Sequence, residues 1–231
     1  MTFSDAFRRE RRENCSQPHG RHLTDQAVEE NMTDLSIRTS DSHPIRIDSV
    51  QPLANWGQIG MSFCPGKIQA DARTGAWTRD LKKDIQRIRE WGASTVISLI
   101  EVHEFGELQV ANLPNAVTEH GMSWIHLPIR DMQAPGAGFI PYWLKLGQEL
   151  VNELAQGNRV FVHCKGGLGR TGTIAACLLI ESGMTNLGAI ELVRMARQKT
   201  IETMQQELYV MNYVPLFRGA VSQAQSLHQV R

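Results

Sequence analysis

The chain has 231 residues, of which 42% are hydrophobic and 21% are charged, and 24 Lys and Arg residues balance 24 Asp and Glu residues. This apolar fraction can build a sizeable core and excludes wholesale disorder. Zero net charge argues against nucleic-acid binding, since broad phosphate contacts normally need a basic excess. No apolar run approaches the roughly 20 residues of a membrane-spanning helix, so no membrane insertion is predicted.

The cysteines lie far apart, at Cys15, Cys64, Cys164 and Cys177. They form no C-x-x-C pair and no Cys/His spacing suited to zinc, so neither a disulfide scaffold nor a metal site is predicted. The arginines near the N-terminus are not followed by an apolar segment, which argues against a secretory signal. We therefore expect a reducing, cytoplasmic location.

Residues 1–43 differ in pattern from the rest of the chain. They hold six arginines and eight acidic residues without a sustained helical or alternating period, which is typical of a flexible, solvated tail. A docking role for this tail stays open. Residues 44–231 are predicted to form one globular domain.

From residue 44 onward, strand-like and helix-like segments alternate. Thr78 and Gly92 are expected to begin and end the first long helix, Pro114 to break short helices within 104–121, and Thr203 with Gln206 to form a capping box. The result is a single α/β domain with a central, mostly parallel sheet flanked by helices. Periodicity predicts strands at 45–47, 59–63, 95–100, 123–127 and 159–163, and helices at 78–92, 139–156, 171–182, 186–198 and 203–217.

The segment Val162–Thr173 (VHCKGGLGRTGT) carries a buried strand directly into a Gly-rich turn and a helix. Backbone N–H groups and the positive end of a helix would make an anion site there. Residues 167–172 also match G-x-G-x-x-G, but a dinucleotide fold needs a second strand after the helix. Residues 174–198 are predicted as two helices instead, so nucleotide binding is disfavoured.

Cys164 and Arg170 have the spacing C-x5-R, which suits cysteine-based hydrolysis of phosphate esters. The loop and helix would lower the pKa of the thiol, and the guanidinium can bind two phosphate oxygens. Cys15 to Arg21 has the same spacing. That copy lies in the polar tail with no strand before it and no helix after it, so we interpret it as chance. An inert buried Cys164 is the structural alternative.

The sequence HCKGGLGRTG resembles the signature loop of the protein tyrosine and dual-specificity phosphatase superfamily. The resemblance implies a dual-specificity-phosphatase-like fold and hydrolysis of phosphotyrosine, phosphoserine or phosphothreonine in phosphoproteins. It further implies a phosphocysteine intermediate and no metal or organic cofactor. Five further segments resemble the kinase-associated phosphatase branch in order and spacing, which are residues 59–66, 79–92, 107–113, 125–135 and 201–206.

The resemblance also implies which residues act on the phosphate. Cys164 corresponds to the nucleophile, and Asp131, 33 residues before it, corresponds to the acid that protonates the leaving oxygen. The signature loop would bind the phosphate, through Lys165, Gly166, Gly167, Leu168, Gly169 and Arg170.

Three other positions have roles by the same resemblance. Thr171 would hydrogen-bond the sulfur of the nucleophile, and it could also cap the following helix. His163 is expected to orient the loop. Gln206 resembles the second glutamine of the family's I-Q-T-x-x-Q stretch, which positions the hydrolytic water, or it is only a capping residue. Glu202 replaces the first glutamine of that stretch.

Two other functions stay open. Phosphoinositide phosphatases of the superfamily place two lysines in the loop, whereas this chain has Lys165 at one position and Leu168 at the other. A phosphoinositide or other small-molecule substrate is therefore less favoured than a phosphoprotein. A catalytically inactive phosphate-binding module is the second alternative, which the presence of Cys164, Arg170 and Asp131 disfavours.

Overall fold

The computed structural model describes residues 37–72 and 75–217. Most of the predicted tail and the second C-x5-R copy, at Cys15, lie outside the described residues. The division of the chain at residue 44 stays a prediction. In the part of the chain that the structure describes, no helix is long and apolar enough to cross a membrane.

The domain alternates strands and helices, as the sequence predicts. Its elements are β1 (Asp48–Val50), β2 (Ile59–Phe63), β3 (Ile68–Gln69), β4 (Trp77–Thr78), α1 (Leu81–Trp91), β5 (Ala93–Ser98), α2 (Val102–Glu107), α3 (Leu113–Glu119), β6 (Ser123–His126), α4 (Ile140–Ala155), β7 (Arg159–Cys164), α5 (Gly169–Glu181), α6 (Asn186–Ala196) and α7 (Met204–Met211).

A five-stranded sheet has the order β1-β2-β7-β5-β6. Strand β7 pairs in parallel with β2 and β5, β5 pairs in parallel with β6, and only β1 is antiparallel. The predicted α/β class with a mostly parallel sheet is thus confirmed. The carboxyl ends of parallel strands meet at one edge of the sheet. At this edge Cys164 of β7 pairs with Phe63 of β2, and the neighbouring His163 pairs with Ser98 of β5.

Helices cover both faces of this sheet and form two apolar clusters. One cluster joins α4, α5 and α6 and includes the fully buried Trp143 and Leu178. The other includes Ile85 and Ile88 of α1 with Phe161 of β7. Helix α5 is buried along its whole length and belongs to the first cluster, so this cluster and the sheet fix its first turn, which begins at Gly169.

Several predicted boundaries are wrong. Residues 45–47 form no strand, since the edge strand β1 begins at Asp48, and Asp80 rather than Thr78 caps α1 by accepting from Lys83 N at 3.0 Å. Thr78 lies in β4, where pairing with β3 overrides its capping preference. Pro114 breaks no helix, because it occupies the first turn of α3, where a missing N–H is harmless.

Further predictions concern the end of α1 and both ends of α7. Gly92 ends α1 in the left-handed conformation, with φ +95°, as predicted. The capping box of Thr203 and Gln206 is confirmed, but α7 ends at Met211 rather than at residue 217. Beyond Met211 the chain is held by Glu181, whose carboxylate accepts from Phe217 N at 2.9 Å.

A buried ion pair fastens the first described residues to α1. Arg79 Nε and Nη2 each donate to Asp84 at 2.8 Å, and neither side chain is exposed. Asp84 also accepts from Ser40 Oγ and Gly66 N, both at 2.9 Å. Arg79 Nη1 donates to His43 O at 2.7 Å. Residues 39–43 therefore pack against the domain through a carboxylate whose acceptors are filled.

Candidate active site

The signature loop joins the end of β7 to the start of α5, and its central bend requires glycine. Gly167 has φ +71°, and a Cβ there would lie 2.2 Å from the backbone of Ser62. Gly167 N donates to Cys164 Sγ at 3.2 Å, and Cys164 is 3% exposed. The N–H of the central glycine is therefore directed at the sulfur.

Arg197 holds the outer side of this loop, a role the sequence analysis missed. Its Nε donates to Gly167 O at 2.6 Å and its Nη1 donates to Asp48 Oδ2 at 2.6 Å. In a trans peptide the carbonyl and the following N–H point in opposite directions. With the Gly167 carbonyl bound outside, the N–H of Leu168 is turned toward the concave side of the loop.

Arg170, the arginine of the signature, is buried against a carboxylate that the sequence analysis also missed. Arg170 Nη1 and Nη2 donate to Glu104 at 2.5 and 2.9 Å, and Nη1 also donates to Ile129 O at 3.1 Å. Burial opposes the charge of Arg170, but the Glu104 carboxylate raises the pKa of Arg170 above its ordinary value. Against the effect of burial, hydrogen bonds from Arg170 and Glu101 N hold the pKa of Glu104 below its usual range.

One signal in the sequence could have pointed to Glu104. It follows the carboxyl end of β5, which is the strand beside β7, and parallel strand ends meet at one edge. Its side chain also accepts from Glu101 N at 2.8 Å, which fixes it at the start of α2.

The structure brings the predicted general acid to the signature loop. Asp131 Oδ1 lies 2.9 Å from Arg170 Nη2, and the Asp131 side chain is 53% exposed. The next residue, Met132, has φ +59° and donates its N–H to Asp131 Oδ1 at 3.0 Å. A left-handed methionine is uncommon, and its N–H donates to the same Asp131 oxygen that faces Arg170.

Three buried side-chain atoms lack a hydrogen-bond partner among the described residues. All three lie within residues 163–171, at the end of β7 and the start of α5. They are His163 Nδ1, Arg170 Nε and Thr171 Oγ1. Such atoms are rare in native proteins and call for an explanation such as a ligand. Thr171 therefore does not form the hydrogen bond to Cys164 Sγ that was predicted. Its alternative role as a cap is wrong, because Leu168 is the N-cap of α5.

His163 is neutral in this site. Its Nε2 lies 2.7 Å from Ser98 Oγ, which also accepts from Trp124 Nε1 at 2.9 Å. Burial lowers the pKa of His163 to about 3. A neutral, fixed ring is consistent with the predicted orienting role.

Gln206 lies beside the loop and is fully buried. Its Oε1 accepts from Glu202 N at 3.0 Å and from Thr203 N at 3.2 Å, so it is a capping residue. Its Nε2 donates to Gln133 O at 3.2 Å, which links α7 to the loop that carries Asp131. A Cβ on Gly169 would lie 2.8 Å from both amide atoms of Gln206.

Two lysines lie at the other side of the loop. Lys165 is partly exposed, and its Nζ lies 3.5 Å from Glu107 Oε2. Lys67, which the sequence analysis did not single out, is buried and its Nζ donates to Lys165 O at 3.4 Å. Burial lowers the pKa of Lys67 to about 8.

A thiol, an arginine and a carboxylate around a Gly-rich loop, at the edge of a parallel sheet, define a cysteine-based phosphatase site. Residues 72–184 match the family described as polymorphic toxin system, DSP-PTPase phosphatase. Cyclin-dependent kinase inhibitor 3 of Rattus norvegicus is 29% identical over 87% of this chain and 94% of that protein. Protein tyrosine phosphatase type IVA 3 of Homo sapiens is 31% identical over 57% of this chain and 70% of that protein.

Solved structures agree on the fold. A crystal structure of kinase-associated phosphatase, with serine in place of its catalytic cysteine, has a TM-score of 0.63 and 24% identity. The match covers 78% of this chain and 97% of that one. The chain belongs to the cysteine-based protein tyrosine and dual-specificity phosphatase family, and it is a protein phosphatase. The predicted likeness to the kinase-associated branch is confirmed.

Proposed function

We propose that this protein removes phosphate from phosphoproteins through a phosphocysteine intermediate on Cys164. The observation that carries the proposal is that two buried polar atoms of the signature segment, Arg170 Nε and Thr171 Oγ1, have no hydrogen-bond partner among the described residues. A bound phosphate supplies acceptors for the arginine and hydroxyl donors. The phosphatase domain of this proposal spans residues 44–231.

In the first half of the reaction, the Cys164 thiolate attacks phosphorus. The S–P bond forms as the bond from phosphorus to the leaving oxygen breaks, and Asp131 donates its proton to that oxygen. In the second half, Asp131 accepts a proton from water, the water oxygen bonds to phosphorus, and the S–P bond breaks. The thiolate is thereby restored and inorganic phosphate leaves.

Arg170 is the residue that binds the equatorial phosphate oxygens in this proposal. Its Nε has no hydrogen-bond partner among the described residues, and the carboxylate at 2.9 Å from Nη2 belongs to Asp131, whose side chain is exposed. Glu104 fixes the guanidinium plane in advance, so little reorganisation is needed when charge develops. The N–H groups of residues 165–169 complete the anion site.

The remaining residues assist the two halves of the reaction. Thr171 Oγ1 is buried without a partner among the described residues, and in this proposal it is the hydroxyl that donates to the sulfur. His163 orients the loop through Ser98. Gln206, which holds Gln133 O, positions water on the side of the loop where Asp131 lies.

The surroundings of the site favour a phosphoprotein over a small molecule. A cavity of about 520 Å³ lies beside Asp131 and is lined by Arg130, Gln133, Tyr142 and Gln205, among others. It offers room for residues that flank a phosphorylated side chain. Lys165 is the feature that favours the second candidate, a phosphoinositide, but its charge is partly balanced by Glu107.

A cytoplasmic location is part of the proposal. The three cysteines among the described residues, Cys64, Cys164 and Cys177, are free and buried. Free thiols persist in reducing compartments.

The test is phosphate release from an aryl phosphate under reducing, metal-free conditions, with wild type beside Cys164→Ser. Only wild type should turn over, while the variant still binds phosphopeptide. Cys177→Ala is the matched control, because it removes a buried thiol about two turns along α5 and should keep activity. Turnover by Cys164→Ser, or phosphopeptide binding without turnover by wild type, would overturn the proposal.

A further inference from the structure

The carboxylate of Glu202 contacts the phosphate-binding loop. Gly169 N donates to Glu202 Oε2 at 2.7 Å. Gly169 is the first residue of α5, so this N–H lies at the positive end of the helix and has no partner within it. Loops of this kind bind anions through such N–H groups. The anionic side chain of Glu202 therefore occupies one of the N–H groups through which the loop would bind phosphate.

The preceding residue holds Glu202 in this position at a conformational cost. Ile201 has φ +58°, which is a rare conformation for a β-branched residue. Ile201 is 3% exposed, and its N–H donates to Leu168 O at 3.4 Å. Glu202 N in turn donates to Gln206 Oε1 at 3.0 Å. Strained residues of this kind persist where the surrounding structure imposes them, often at functional sites.

Within residues 37–72 and 75–217, Glu202 forms no ion pair, and the nearby Arg194 pairs with Glu207 at 2.8 Å. In this part of the chain, its carboxylate accepts from the Gly169 N–H at the positive end of α5. A phosphate dianion that enters the same loop would be repelled by it.

We propose that Glu202 is a specificity-determining residue whose carboxylate competes with phosphate for the Gly169 N–H. The proposal rests on the function proposed above and adds a property to its site. The enzyme binds free phosphate weakly, so product leaves easily. Substrates bind well only when their contacts outside the loop move Glu202 aside. The site thus selects against small phosphate anions in favour of larger phosphorylated partners.

A helix cap would be the simplest alternative role. The N-cap residue of α5, Leu168, supplies no side-chain hydrogen bond, and Glu202 could satisfy one N–H in its place. A cap alone predicts lower stability and unchanged or weaker phosphate binding after removal of Glu202. Competition predicts tighter binding, so the sign of the change separates the two roles.

The experiment is calorimetric titration of inorganic phosphate into wild type, Glu202→Gln and Glu202→Ala. Glutamine keeps an oxygen for the Gly169 N–H but removes the charge. Glu207→Gln is the matched control, because it changes net charge equally while its carboxylate contacts Arg194. The dissociation constant should fall about tenfold in both Glu202 variants, a conservative figure for charges a few ångströms apart, and stay unchanged in Glu207→Gln.

Three results would overturn this proposal. An unchanged or weaker affinity in Glu202→Gln would show that its charge does not compete. An equal gain in Glu207→Gln would assign the effect to net charge. If neither wild type nor any variant binds phosphate, the loop is not a phosphate site, and both this inference and the proposed function fail. Phosphate binding that is equal in wild type and the Glu202 variants overturns this inference alone.

Discussion

Arg79 and Arg170 are each buried in a two-pronged contact with a carboxylate, but the rest of their surroundings differ. Every nitrogen of the Arg79 guanidinium has an acceptor, and its partner Asp84 is fully buried with four donors. Arg170 leaves Nε without a partner and shares Nη2 with the exposed Asp131. The first pair is saturated and fastens the chain, whereas the second keeps donors ready for an anion.

The difference has an energetic meaning. An unsatisfied buried donor costs about 1–3 kcal/mol, so folding alone gives no reason to leave Arg170 Nε unpaired. A ligand that pairs it recovers that energy on binding. A buried ion pair therefore does not by itself mark a functional site in this protein. A buried ion pair whose arginine keeps an N–H without an acceptor does.

The largest expected effect is on stability, at the buried pair of Arg79 and Asp84, whose donors all have acceptors. Asp84→Asn leaves Arg79 buried without a counter-charge, so the free energy of unfolding should fall by about 3–5 kcal/mol. Urea denaturation measures it. Asp41→Asn is the control, since its pair with Lys83 is exposed to solvent and should contribute little to stability. Equal losses in the two variants would contradict the role assigned to burial.

The next largest effect is on catalysis, at the buried pair of Arg170 and Glu104. Arg170→Lys keeps a positive charge but loses the fork that binds Glu104 and phosphate together, so kcat/KM should fall about 100- to 1,000-fold. Steady-state hydrolysis of an aryl phosphate measures it. Arg79→Lys, compared at a temperature where it stays folded, should keep kcat/KM. If Arg79→Lys loses as much activity as Arg170→Lys, the comparison is wrong.

A smaller catalytic loss is expected when only the support of Arg170 is weakened. Glu104→Gln keeps the shape but removes the charge that fixes the guanidinium, and misplacement of about 1 Å can cost about 100-fold in rate. We expect a loss of kcat below that limit. Glu107→Gln, an exposed acid on the same helix, is the control for a change of charge near the loop. A kcat unchanged in Glu104→Gln would show that Arg170 needs no positioning partner.

The smallest effect concerns Lys67, which lies between the two regions. Its Nζ donates to Lys165 O of the signature loop and lies 4.9 Å from the ring centre of Trp77, over which Arg79 also packs. Burial lowers the pKa of Lys67 to about 8, below its value of about 10.4 in an unfolded chain. Between these values only the unfolded chain binds the proton, so stability rises with pH.

Relative to Lys67→Met, the wild-type free energy of unfolding should therefore increase by about 1 kcal/mol from pH 8 to pH 9. Well below pH 8, where Lys67 holds its proton in both states, the difference between the two proteins should be constant. Urea denaturation at a series of pH values measures it. A difference that decreases as pH rises would mean that the folded protein holds the Lys67 proton more tightly than the unfolded chain does.

The sequence alone determined the sheet class, the signature loop and the acid that faces it. The signature loop is a local feature, because the strand, the three glycines and the C-x5-R spacing lie within one continuous segment, residues 159–173. Gly167 shows why, since its left-handed φ and the 2.2 Å approach of Ser62 leave no other residue there. The resemblance of Asp131 to the family's acid rested on order along the chain, and the fold brings it to Arg170.

Only the tertiary structure decided what surrounds that loop. Glu104 is 66 residues from Arg170, and Glu202 is 33 residues from Gly169. Arg197 reaches Asp48 across 149 residues. No local pattern distinguishes these side chains from solvent-exposed charges. Their partners are set by which strand and helix ends meet at one edge of the sheet, and that depends on packing of the whole core rather than on neighbours in sequence.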